Sequence, residues 1–129
     1  MYNKKIKYKK IICFDIDGVI CKTYKNDYKN AKPIIKSINI INKLYNNNFY
    51  IKLFTARFMG RNRDNCIKAK KQGFILTKKQ LKNWGVKYHK LLMCKPSYDI
   101  FIDDKALNFK KNWTVLLNNK LFLKNLIIK

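Results

Sequence analysis

Asp15 and Asp17 stand two residues apart after the apolar run Ile11-Ile12-Cys13-Phe14, and Asp103 and Asp104 stand together after Tyr98 to Ile102. Neighbouring carboxylates repel, and beside an apolar strand they are also partly desolvated. A hard divalent cation relieves both penalties, and carboxylate oxygens are the ligands that Mg²⁺ prefers. Only seven acidic residues occur in the chain, so four of them in two tight groups is a concentration worth a chemical explanation. Each group alone also reads as ordinary local structure, Asp17-Gly18 as a turn and Asp103-Asp104 as a helix cap. Thr55 follows a third apolar run, Phe49 to Phe54.

The elements that must hold these residues follow from pattern. Lys10 to Phe14 is short, branched and apolar, as a buried parallel strand is. Cys21 to Lys32 is polar and reads as a loop or small flap. Pro33 suits the first turn of a helix whose apolar positions Ile34, Ile35, Ile38, Ile41, Leu44 and Tyr45 run to an Asn46-Asn47-Asn48 stop. Phe49 to Phe54 is a second strand. Phe58 to Gly73 lacks a clean period and reads as a basic loop with a poorly defined helix. Thr77-Lys78-Lys79-Gln80 has the form of a capping box, which starts a new helix that Gly85 closes. Val86 to Met93 contains a third strand, Tyr98 to Ile102 is a fourth, and the tail from Thr114 is a final helix. This order predicts an α/β fold, a Rossmann-like parallel sheet with helices on both faces, in one domain spanning residues 1–129 with its flap at about 20–32. Ligands of such sheets bind beyond the carboxyl ends of the strands, so Asp15, Asp17, Thr55, Asp103 and Asp104 are expected on one rim.

Phe14-Asp15-Ile16-Asp17-Gly18-Val19, Leu53-Phe54-Thr55-Ala56-Arg57, Lys95-Pro96 and Phe101-Ile102-Asp103-Asp104-Lys105-Ala106 resemble, in order, the four motifs of the haloacid dehalogenase-like hydrolases. The likeness runs from about Ile11 to Phe109. It is nearest to short members without a large cap, many of them phosphatases associated with capsule or surface-sugar biosynthesis, which share the Thr-Ala-Arg element and the stretch Leu76 to Leu91.

The resemblance implies a Mg²⁺-dependent phosphomonoesterase. Asp15 would attack phosphorus to give an aspartyl-phosphate, and Asp17 would act as general acid and then general base. Mg²⁺ would be held by the Asp15 carboxylate, the Asp17 backbone carbonyl and the Asp103 carboxylate, with Asp104 supporting the metal shell or orienting Lys105. Thr55, with the backbone around Ala56, would bind the phosphoryl group, Lys95 would neutralise its charge, and Arg57 would grip a further anionic group of the substrate. Two positions depart from the family pattern: Cys94 replaces the usual glycine before Lys-Pro, where a side chain would narrow the site, and Val19 replaces a frequent threonine.

Thirty Lys and Arg against seven acids give a formal charge of +23, and only Arg57, Arg61 and Arg63 are arginine. Such a field attracts phosphate esters and polyanions. The lysines are spread from Lys4 to Lys129, and the abundance of Lys, Asn, Ile, Tyr and Phe fits drift toward A/T-rich codons. The resemblance then implies a small phosphorylated metabolite, foremost a sugar phosphate, as the expected substrate. A nucleotide or nucleic-acid-end phosphatase and a non-catalytic nucleic-acid-binding protein are the alternatives. Without a large cap, either the substrate meets an open site or a second copy covers it, so a homo-oligomer is one expectation. Tyr24 and Tyr28 of the flap have the shape to stack on a sugar or base, and are equally suited to surface packing. His89 reads as structural. Cys13, Cys21, Cys66 and Cys94 show no metal or disulfide spacing and read as reduced thiols, with Cys13 and Cys66 as ordinary packing residues. No membrane span is seen, and Asp15 and Asp17 interrupt the one signal-like segment, so a cytoplasmic protein is expected.

Overall fold

The computed structural model describes residues 7–107, 109 and 112–128, with side chains as far as 126. Strand β1 (Ile11–Phe14) ends at a turn in which Gly18 takes φ +86°, a conformation that a side chain disfavours. Strands β2 (Cys21–Lys22) and β3 (Lys32–Pro33) pair antiparallel and form the flap, with a 3₁₀ turn at Tyr28–Asn30 between them. Helix α1 (Ile35–Asn46), strand β4 (Tyr50–Phe54), helix α2 (Cys66–Asn83) and strand β5 (Lys90–Leu92) follow. Helices α3 (Trp113–Leu117) and α4 (Lys120–Ile128) end the described chain where one helix was expected. Asn118 and Asn119 lie at their junction.

The sheet has three parallel strands in the order β1-β4-β5. Register places Phe14 beside Leu53 and Leu53 beside Leu91, and successive strand residues point to opposite faces. One face, carrying Phe14, Ile51 and Leu53, is buried with Ile38, Ile41 and Leu44 of α1 and with Trp113 and Leu117 of α3. Each such side chain contributes about 1.5–3 kcal/mol when fully removed from water. The other face is more open. Ile11 is 62% exposed, Cys13 is exposed, and Lys52 and Phe54 are half-buried. Helices α1 and α3 therefore lie on one face, and the expected cover on both faces is not found among the described residues.

Two further expectations are corrected. Thr77 does not start a helix: α2 runs unbroken from Cys66, and Asn65 caps it by accepting from the Lys68 N–H at 3.1 Å. Thr77 and Gln80 lie in its interior turns, where their side chains bind Arg57. Gly85 closes the segment at φ +71°, as the sequence suggests. Gly73 sits mid-helix for a packing reason, since a Cβ there would lie 2.3 Å from the Phe58 ring. The second correction is the fourth strand. Tyr98 to Ile102 is not paired, and every residue from Pro96 to Leu107 is exposed. Helix α2 carries Lys68, Lys70, Lys71, Lys78, Lys79 and Lys82 on its exposed surface and no acidic residue.

Candidate active site

Parallel strands put their carboxyl ends on the same side, so Asp15 after β1, Thr55 after β4 and Lys95 after β5 meet at one rim. Backbone bonds fix the spacing. The Thr55 N–H donates to the Leu92 carbonyl at 3.0 Å, and the Lys95 N–H donates to the Thr55 carbonyl at 3.1 Å. The Lys95 ammonium stands 3.6 Å from Asp15 Oδ2, while Asp15 Oδ1 accepts from the Ile16 N–H at 2.8 Å.

Burial pushes the Asp15 carboxyl above the ordinary aspartate value, Lys95 opposes that shift, and the neighbouring charge of Asp17 adds to it. Burial alone would lower Lys95. The Tyr98 hydroxyl and the Asp15 charge outweigh it, and the ammonium is held above its usual value. The rings of Tyr98 and Phe101 stack at 5.0 Å between centroids, and the Lys95 nitrogen lies 5.4 Å from each. These contacts draw the start of the expected fourth strand toward Lys95, and cation–ring attraction favours that placement.

Asp17 is held by a different set of groups. Arg57 Nε donates to Asp17 Oδ2 at 2.9 Å and Nη2 donates to Oδ1 at 3.0 Å, a two-point pairing that a planar guanidinium is shaped to make. The Thr23 hydroxyl also donates to Oδ1. Arg57 is 1% exposed. Its remaining contacts are Gln80 Oε1 at 2.6 Å, Thr77 Oγ1 at 3.4 Å, Cys21 Sγ at 3.5 Å and the Tyr28 ring. The Gln80 amide in turn donates to the Tyr28 carbonyl at 2.6 Å, which ties the flap to α2.

Arg57, expected from the sequence to grip an anionic group of the substrate, is enclosed in the protein and paired with Asp17. Thr55 is the residue expected at the phosphoryl group. It is fully buried, and its hydroxyl accepts from the Arg57 N–H at 3.1 Å, so it braces the turn after β4. Ala56, half-buried in that turn, accepts from the Met59 N–H through its carbonyl. Tyr28 is covered by Arg57, Arg61 and Phe58, whereas Tyr24 is 76% exposed. Sequence reasoning missed Thr23, Thr77 and Gln80. The last two read as a helix start, and the available signal was that Thr77 stands three residues from Gln80 and four from Leu81, spacings that share one helix face.

The metal set implied by the resemblance is not assembled. Among the described residues, no group of three or more His, Cys, Asp or Glu side chains is placed to hold a metal ion. The Asp17 side chain is engaged by Arg57, a pairing that does not involve its backbone carbonyl, but the Asp103 and Asp104 carboxyls are exposed, with Asp103 accepting only from the Lys105 N–H at 2.8 Å. Asp15, Asp17 and Asp103 as they stand do not fit a magnesium site, because the strand that was to carry Asp103 to the rim is not paired.

The cysteines also differ from expectation. Cys66 and Cys94 form a disulfide, Cys13 is exposed, and only Cys21 is a buried free thiol. Spacing hides the pair, since 28 positions separate residues that α2 and β5 bring side by side. Cys94 takes φ +75°, a region that favours glycine, and its side chain is committed to Cys66. His89 is structural as read: its Nδ1 accepts from the Ile51 N–H at 2.9 Å, and its ring stacks with Tyr45 and Tyr50. Two surface hollows, of about 520 and 400 Å³, are lined by α2 with Val86 and Tyr88 and by the flap with Phe58 and Arg61. Neither is lined by Asp15 or Lys95, and convergent charge is the better guide to chemistry here than concavity.

No family model and no curated protein matches the chain. Among solved structures, a crystal structure of a target protein from Vibrio cholerae is similar with a TM-score of 0.72 and 24% identity, over 90% of this chain and 98% of that one. This likeness shows a shared α/β fold. Two structures of the Pnkp1/Rnl/Hen1 complex, one described as an RNA repair complex, align at 16% and 14% identity with TM-scores of 0.48 and 0.45. They cover 95% and 97% of this chain but 34% and 35% of theirs. Among the described residues, no helix is long and apolar enough to cross a membrane.

Proposed function

We propose that the chain is a phosphomonoesterase of the haloacid dehalogenase-like type. The observation that carries this reading is the pairing of Asp15 with Lys95 at 3.6 Å on the carboxyl rim of a parallel sheet, with Asp17 two residues away. An Asp15 oxygen attacks phosphorus, and the ester P–O bond breaks. Once one Asp17 oxygen is released from Arg57 and protonated, the leaving oxygen takes that proton, and Asp17 then accepts one from the water that cleaves the aspartyl-phosphate. Lys95 balances the charge that gathers on the phosphoryl oxygens. Arg57 and Thr23 orient Asp17. No step is assigned to magnesium, because the donors present do not form its site.

The rim is open and the flap is small, which favours a compact substrate, in our reading a sugar phosphate. The six exposed lysines of α2, without a compensating acid, favour a second reading in which the phosphate lies at a nucleic-acid end. The test is a screen of phosphorylated metabolites and end-phosphorylated oligonucleotides, with Mg²⁺ present or chelated, run beside Asp15→Asn. Turnover is expected to fall at least about 1,000-fold in the variant, as loss of a nucleophile does. Equal activity of the two proteins overturns the proposal. Preference for oligonucleotides, with a steep loss of binding as salt rises, selects the second reading.

A further inference from the structure

We propose that Cys66 and Cys94 form a thiol–disulfide exchange site that sets the position of Lys95 against Asp15. The inference rests on the reading of Asp15 and Lys95 as partners in the reaction. Cys94 is the residue before Lys95, and its disulfide fastens the strand-end segment to Cys66, the first residue of α2. One further side-chain tether runs beside it: Asp64 Oδ1 accepts from the Ser97 hydroxyl at 2.7 Å and from the Ser97 N–H at 3.3 Å. Asp64 is exposed, so this bond competes with water and is the weaker of the two.

The backbone at the bond is held in a region that side chains disfavour. Cys94 has φ +75°, with no glycine to relieve it, and Arg63 and Asp64 on the facing segment have φ +50° and +59°. A covalent link across such a turn keeps the turn in place; once the link opens, the Lys95 N–H bond to the Thr55 carbonyl is left to hold Lys95 against the tendency of Cys94 to leave that region, and in our proposal Lys95 then shifts. Both sulfurs belong to half-buried residues, and Asp64, Asn65, Pro96 and Ser97 around them are exposed, so a thiol in solution can reach the bond.

The exchange needs a dithiol reductant. Its thiolate attacks one cysteine sulfur, the Cys66–Cys94 bond breaks, and a mixed disulfide forms. The second thiol of the reductant then displaces the protein sulfur. Two electrons pass to the cysteines, which end as two thiols, and the reductant leaves as a disulfide. Cys13 and Cys21 are already thiols and are untouched by this step.

The experiment compares the oxidised protein with the same protein after dithiothreitol, by two readouts. One is phosphate-ester turnover; the other is the rate of Lys95 acylation by an amine-reactive ester, followed by peptide mass spectrometry. A non-reduced digest is expected to hold the Cys66 and Cys94 peptides joined, and their absence overturns the inference at once. Reduction is expected to speed Lys95 acylation about threefold or more, because the amine leaves its buried place. It is expected to slow turnover about tenfold, a loss typical of a misplaced charge, with recovery on reoxidation. Cys66→Ser and Cys94→Ser are each expected to match the reduced protein and to ignore dithiothreitol.

Unchanged acylation on reduction overturns the inference, whatever the turnover. Changed acylation with equal turnover in both states overturns the coupling to catalysis. Changed acylation with no turnover of any ester in either state overturns the phosphatase reading and leaves the exchange site standing. The wild-type comparison decides these outcomes even if a serine variant fails to fold.

Discussion

The two aspartate pairs look alike in sequence, each ending an apolar run, and the molecule treats them in opposite ways. Asp15 and Asp17 are gripped: Lys95 faces one, while Arg57 and Thr23 hold the other. Asp103 and Asp104 lie on an exposed segment, with a single backbone contact made by Asp103. The difference lies in the preceding run. Ile11 to Phe14 finds β4 and is fixed by four register pairs, whereas Tyr98 to Ile102 finds no strand, and its first aromatic ring goes to Lys95. Here the strand-end carboxylates that gain side-chain partners are those whose strand is paired.

Asp103→Asn is the sharpest way to break this contrast. The structure expects it to change turnover less than about threefold, the scale of an ordinary surface substitution, against the near-complete loss expected for Asp15→Asn. Comparable losses in steady-state assays would mean that the Asp103 carboxyl reaches the rim in solution. The next largest effect falls on stability. Arg57→Ala removes the buried partner of Asp17 and is expected to cost about 2–4 kcal/mol in urea denaturation, below the full value for a buried pair because Asp17 is one-quarter exposed. A loss under 1 kcal/mol, roughly the worth of an exposed pair, would erase the distinction between gripped and exposed carboxylates.

A smaller effect separates the same pairs by pH. The Asp15 carboxyl is raised in the folded chain, so folding favours its protonated form, and stability is lost as pH rises through its titration. Asp15→Asn removes that loss. The variant is expected to melt at or slightly above the wild-type temperature near pH 7, with the gain fading toward pH 4, in calorimetric scans. A wild type that melts higher than the variant at pH 7 would show that Lys95 outweighs burial at Asp15.

The assembled half of the site was legible because local pattern and long-range pairing agree there. Apolar runs at 11–14 and 50–54 became parallel strands, and the residues after them reached one rim. What misled was local chemistry serving a distant partner. Thr77 and Gln80 have the spacing of a capping box, yet both are drawn to Arg57, which is 20 and 23 positions away. Arg57 itself looks like a surface cation in a chain of +23, and only the fold shows that it is enclosed. Cys66 and Cys94 were unreadable for the same reason, since their pairing depends on the crossover through α2.

The lysine surface of α2 bears on how the protein responds to its medium. With no acid on the helix to balance them, these ammonium groups push against one another and against the rest of a strongly cationic chain. Dissolved electrolyte weakens that push over the roughly 10 Å reach of such fields at 0.1 M ionic strength. A fold stressed by its own excess charge becomes more robust in brine, whereas one held by surface ion pairs would loosen.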